Sequence, residues 1–207
     1  MFKLTILLIL IFRGSSSIYD LSITQGINDK VIIDCNYTFD EAVKGLKIPK
    51  SITNNLDLVN VNYFSFDGKL HKGQIVVNKS VVKDIQEIFE FIKNSKFPIN
   101  KIIPIVKYKW SDETSMSDNN TSAFNYRKVN GQKVLSPHAD GLAIDINPMQ
   151  NPHVKNNKSY PSRALYNTKE LGTIRKDSQL VKEFKKRGWQ WGGLWKSSKD
   201  YQHFEKP

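Results

Sequence analysis

Two stretches of the chain carry side chains whose types and spacing could do chemistry. The first is Ser136-Pro-His138-Ala-Asp-Gly141-Leu-Ala143-Ile-Asp145-Ile-Asn147-Pro148, which sets one imidazole and one carboxylate on either side of a glycine. The second is Gly188-Trp189-Gln190-Trp191-Gly192-Gly193-Leu194-Trp195, followed by Asp200-Tyr201-Gln202-His203-Phe204-Glu205. Two imidazoles and a carboxylate form a three-ligand set that suits zinc and leaves a position for water, the arrangement of catalytic rather than structural zinc sites. Asp200 and His203 are three apart, so one can bind a metal while the other faces its water, and Glu205 is a second candidate for the base. The bland alternative is a satisfied polar core.

The elements around these residues must bring them together. Leu142, Ile144 and Ile146 alternate with Ala143, Asp145 and Asn147, so the segment reads as a strand that buries one face and presents Asp145 from the other. An unbroken strand would point His138 and Asp145 to opposite faces, so the strand must break between them. Gly141 is the candidate, because glycine accepts positive φ at little steric cost. Upstream, Ala123 to Val129 and Gln132 to Ser136 flank Asn130-Gly131, a strong hairpin signal. A two-residue turn there pairs Arg127 with Val134 and Ala123 with His138, which puts Arg127 and His138 on one face, about 13 Å apart along the strand.

The scaffold is legible in places. Leu58 to Phe66, Asp67-Gly68 and the run through Val77 predict a second hairpin. Val81, Val82, Ile85, Ile88, Phe89 and Ile92 fall at helical spacing, with Asn78 or Ser80 as cap. A strand is expected over 102–108, interrupted by Pro104, and a loop over 110–120. Residues 149–173 read as irregular, and Asp177 reads as the cap of a short helix that carries Leu180, Val181 and Phe184 and stops at Gly188. His71 reads as a surface histidine. His153, in Asn151-Pro152-His153, is expected not to be a ligand. Cys35 is the only cysteine, which excludes an intramolecular disulfide and suggests an inert core thiol.

Lys and Arg outnumber Asp and Glu by 31 to 20 over 207 residues, a net charge of +11 that favours polyanionic partners. The length fits one domain with its own core and no need of staples. No recognition motif supports a nucleic-acid partner. At the N-terminus, Met1-Phe2-Lys3 precedes an apolar run to Phe12 and then Arg13-Gly14-Ser15-Ser16-Ser17, the pattern of a secretory leader. The run is too short for a permanent membrane anchor. The expected organisation is a signal peptide at 1–17, a lead-in at 18–47 and a catalytic domain at 48–207.

The joint motif Ser136-x-His138-x-x-Gly141-x-Ala143-x-Asp145 with Asp200-x-x-His203 resembles the zinc D-alanyl-D-alanine carboxypeptidase family, which includes vancomycin-resistance D,D-carboxypeptidases and L-alanyl-D-glutamate endopeptidases. The likeness runs from about Ile48 through Asn119 to Arg127 and the Trp-Gly-Gly-Leu-Trp segment to the C-terminus. It implies an α+β single domain, a central antiparallel sheet with flanking helices in the zinc D,D-peptidase (hedgehog/DD-peptidase-like) fold. It implies one zinc per chain on His138, Asp145 and His203, with Asp200 as general base. Arg127 would steady the substrate carbonyl or carboxylate, Ser136 would hold the turn, and Trp191 would line the cleft. The expected activity is that of an exported, monomeric metallopeptidase on peptidoglycan stem peptides, of carboxypeptidase or L-alanyl-D-glutamate endopeptidase type. A zinc-stabilised wall-binding module without turnover is the alternative from another class.

Overall fold

The computed structural model describes residues 30–207. The expected leader at 1–17 and the lead-in as far as residue 29 lie outside the described residues. In chain order the elements are β1 (Ile32–Ile33), α1 (Phe39–Ala42), α2 (Lys50–Thr53), β2 (Leu56–Phe64), β3 (Leu70–Asn78) and α3 (Val82–Ser95). Then come β4 (Lys101–Ile102), α4 (Asp112–Ser117), β5 (Asn120–Thr121), β6 (Ala143–Asp145), β7 (His153–Lys155) and β8 (Lys158–Tyr160). The chain ends with α5 (Gln179–Lys186), β9 (Gln190–Trp191), β10 (Lys199–Asp200) and β11 (His203–Glu205). The mixture is α+β, as expected, but the strands form several small sheets rather than one central antiparallel sheet. Their orders are β1-β3-β2, β10-β7-β8, β6-β11-β9 and β4-β5, and the β1–β3 and β4–β5 pairs are parallel.

The scaffold hairpin forms where its pattern predicts. β2 and β3 pair from Leu56 with Asn78 to Phe64 with Leu70. Gly68 lies at φ +75° and its N–H donates to the Ser65 carbonyl, a turn conformation that glycine adopts without a Cβ penalty. Along β2 the alternate residues Val59, Val61 and Tyr63 are buried. α3 covers that face with Ile85, Ile88, Phe89 and Ile92, each worth about 1.5–3 kcal/mol relative to exposure. Asn78 caps the turn that enters α3, and Lys96 in the left-handed region ends it ahead of Phe97-Pro98.

Several expectations are corrected. The strand over 102–108 stops at Ile102, because Pro104 removes a ladder donor and opens a 3-10 turn over Ile105–Tyr108. Within 110–120 the loop is replaced by α4, capped by Ser111, whose side chain accepts from the Thr114 N–H. The irregular region 149–173 contains the hairpin β7–β8, turned by Asn156 and Asn157 at φ 50° and 57°. α5 is capped by Ser178 rather than Asp177. His71 is part-buried rather than free on the surface: its side chain is 12% exposed, Nδ1 lies 2.8 Å from Asp34 Oδ1, and Tyr63 also bonds to Asp34. Cys35 is half-buried, and burial pushes its thiol up to about 11, consistent with an inert role. No helix among the described residues is long and apolar enough to cross a membrane.

The core continues beneath the two stretches of chemical interest. Ile144, Ile146, Phe204, Trp189 and Trp191 join α3 and α5 in one cluster. Phe184 of α5 stacks on Phe204 with ring centroids 3.8 Å apart. Thus β11 is anchored through Phe204, and the residues on either side of it point the other way.

Candidate metal centre

β6 and β11 pair antiparallel, with His203 opposite Asp145 and Phe204 opposite Ile144. Side chains alternate along each strand, so the rung that buries Ile144 and Phe204 in the core turns Asp145 and His203 together to the other side. β6 is buried along its whole length rather than on one face only, and Ser122 pairs with Asp145 on its outer edge.

His138 reaches the same point from the 3-10 turn Pro137–Asp140. Ser136 caps that turn, its Oγ accepting from the His138 N–H at 3.3 Å. Gly141 follows at φ +67°, which breaks the strand and allows the odd spacing between His138 and Asp145. A Cβ at Gly141 would meet the Asn78 nitrogen at 2.6 Å and Leu56 Cδ2 at 2.8 Å, so space as well as φ demands glycine. The turn is pinned on the β3 end by the Asn78 N–H, which donates to the Gly141 carbonyl at 2.9 Å.

Three side chains meet there. His138 Nε2 is 3.2 Å from His203 Nδ1 and 3.3 Å from Asp145 Oδ2, and His203 Nδ1 is 3.0 Å from Asp145 Oδ1. All three residues are buried. The outer nitrogens are committed elsewhere: His138 Nδ1 lies 2.5 Å from the Ala123 carbonyl and His203 Nε2 lies 3.2 Å from Glu205 Oε2. Each acceptor fixes the ring proton on the outer nitrogen, which leaves the inner lone pairs facing one another and a carboxylate. Such a convergence is repulsive unless a cation or a proton occupies its centre. Four-coordinate zinc bonds of about 2.0–2.1 Å place adjacent ligand atoms about 3.3 Å apart, so the spacings fit a single zinc-sized ion.

The electrostatics agree with a cation-seeking site. Burial works against charge on His203, but its hydrogen bonds to Asp145 and Glu205 outweigh it and lift the imidazole to about 10. Burial likewise acts to raise Asp145, yet His138 and His203 more than offset it and hold the carboxylate below its usual range. Asp200 behaves differently. Burial and then the charge of Asp145 push it up to about 7, against the pull of His203 and His138. It is held near the ligands by Gly192, where a Cβ would meet the Asp200 carbonyl at 2.7 Å and His203 Cβ at 3.4 Å.

Arg127 is not brought into this cluster. Val129 N–H donates to Val134, Lys128 bridges Leu135 and Ser136 N–H donates to Arg127, so the turn spans 130–133 and the register is shifted from the expected pairing. The Arg127 guanidinium is paired with Asp112 of α4, which also accepts from Asn125 Nδ2 at 2.7 Å. Trp191 is buried in the core, its Nε1 donating to the Tyr201 carbonyl at 2.9 Å, rather than at a cleft wall. The aromatic ring beside the ligands is Trp195, 5.3 Å from His203. His153 is outside the three-residue ligand cluster, as expected. Nothing in the sequence points to the Ala123 carbonyl or to Asp112; for the orienting use of Glu205, its adjacency to His203 is the available signal.

No curated protein and no solved structure matches the chain. Residues 130–206, the segment that carries His138, Asp145, Asp200 and His203, match the family model described as D-alanyl-D-alanine carboxypeptidase.

Proposed function

We propose that the protein is a zinc-dependent peptidase of peptidoglycan stem peptides, exported to the cell envelope, with His138, Asp145 and His203 as ligands and Asp200 as general base. The observation that carries this reading is the convergence of three side chains, with the two inner imidazole nitrogens 3.2 Å apart and each within 3.3 Å of an oxygen of the Asp145 carboxylate, while the outward nitrogens of both imidazoles are already bonded. Bound zinc would supply a Lewis acid that polarises a carbonyl and makes water acidic near neutral pH. Every other function falls to the chain itself. Ala123 and Glu205 lock the ring tautomers, so the ligand atoms are presented without rearrangement. Asp200, lifted to about 7, can accept a proton from water and pass it to the departing amine at neutral pH. Trp195 supplies an apolar wall on the His203 side. Arg127 reaches a substrate carboxylate only by leaving Asp112, so its role is to bind substrate rather than to complete the resting site. The basic surface, with a net charge of +11, suits an anionic wall.

Purified full-length protein should release D-alanine or stem-peptide fragments from peptidoglycan, lose the activity to chelator and regain it with zinc. Mass spectrometry of the products assigns the bond, terminal D-alanyl-D-alanine or L-alanyl-D-glutamate. Wall binding without any product would instead support the non-catalytic module.

A further inference from the structure

His153 stands on β7 directly across the ladder from Asp200 on β10. Its Nδ1 lies 3.9 Å from Asp200 Oδ2, longer than a hydrogen bond. The rung nevertheless puts both side chains on one face, so a small side-chain rotation closes the gap. Two buried side-chain atoms at this rung have no partner, His153 Nε2 and Asp200 Oδ1. Buried polar atoms are rarely left so, and two of them at one rung mark a place where a polar group enters. On the far side of β7 the His153 ring lies 6.0 Å from Tyr160, its partner on β8, which limits how far the imidazole can turn away. Burial lowers its pKa, which keeps the ring neutral near pH 7 with one N–H to donate.

We propose that His153 is a positioning residue for Asp200: its Nδ1–H holds Oδ2 of the carboxylate and keeps Oδ1 turned into the cleft toward the nitrogen that leaves. This inference rests on the peptidase reading of the site. Asp200 Oδ1 has no hydrogen-bond partner to fix the rotation of the carboxylate about its last bond. An oxygen that must take a proton and return it to a different atom loses efficiency with each such rotation.

The test uses the zinc-loaded full chain with a soluble stem peptide and the variants His153→Ala, His153→Phe and His153→Gln. Phenylalanine fills the place of the ring against Tyr160 without a donor, and glutamine restores an N–H. The expected result is a kcat lower by about 10–100-fold in the alanine and phenylalanine variants, with KM within about twofold. Glutamine should recover part of the loss, and the acidic limb of the kcat profile should move up by about one pH unit without the donor. Zinc stoichiometry and thermal midpoint should stay at the wild-type values. An unchanged kcat in His153→Phe overturns the proposal, as does a raised KM at unchanged kcat or a loss of zinc from the variants. A wild-type protein that cleaves nothing overturns the peptidase reading and this proposal together, an outcome distinct from an active wild type whose His153→Phe variant is equally active.

Discussion

Asp200 and Glu205 are both carboxylates within three residues of His203, and their surroundings give them different work. Asp200 holds its proton up to about 7 because burial and the neighbouring Asp145 disfavour its charge. Glu205 is held below the usual carboxylate range, first by its hydrogen bond to His203, so it is a fixed acceptor rather than a proton carrier. Asp200→Asn keeps the size and removes the proton site; turnover should fall about 10²–10⁴-fold while bound zinc stays at one per chain, read by activity and metal analysis. Undiminished turnover in that variant would return the base to Glu205. Glu205→Gln should weaken zinc binding about 10–100-fold in a chelator competition, since His203 loses the carboxylate that orients it. Of the chain's four histidines, the two proposed ligands are legible because each stands in a motif with a carboxylate at fixed offset. The partner of His71 was not, because Asp34 arrives beside it from 37 residues away through the parallel pairing of β1. The use of Glu205 depends on which ring nitrogen faces inward, a matter of strand register that sequence spacing does not specify.

The unit that builds the site is the rung between β6 and β11 together with the turn that precedes it. Gly141 is the joint between them. With φ at +67° and the backbone nitrogen of Asn78 only 2.6 Å from where a Cβ would sit, there is no room for a side chain. Gly141→Ala should therefore cost about 3 kcal/mol from left-handed strain and overpacking, measured as a shift in denaturant midpoint at constant m. Because the turn carries His138, zinc affinity should fall with it; an intact midpoint would show that the joint can relax. Long periodic elements, β2, β3 and α3, were readable because burial on one face leaves a regular pattern in the sequence. α4 was not, since Asp112 to Ser117 has no apolar stripe and buries only Ser115. The β7–β8 hairpin escaped for a related reason: each strand has three residues, too few to show alternation, although Asn156-Asn157 is a turn signal in its own right. The register of the 127–136 hairpin also moved, because the chain closes over 130–133 and Ser136 must reach Arg127 to start the turn that aims His138.

At the scale of the whole molecule, the ligand set ties together residues 65 apart in the sequence, from the turn after the Arg127 hairpin to the last strand. An ion that binds the folded chain and not the unfolded one stabilises it by mass action, about 2.7 kcal/mol at a hundredfold excess over Kd. For a chain of this size that corresponds to roughly 5–10 °C in thermal midpoint. Stripping zinc should lower the midpoint by that amount, and the gap should depend on pH with a definite sign. In the metal-free protein His203 is raised from 6.5 to about 10, so its protonated form substitutes for the cation. That contribution is fully present below about pH 6.5 and is lost as pH rises through about 10. Zinc must displace the same proton, so its own affinity grows as pH rises over this interval. Both effects act in one direction: the difference in midpoint between zinc-loaded and stripped protein should be small at about pH 6 and widen toward about pH 9. Differential scanning calorimetry at the two pH values, with zinc and with chelator, measures it. A gap that narrowed with rising pH would mean that the proton and the metal do not compete for His203, and the ligand assignment would have to move to another side chain.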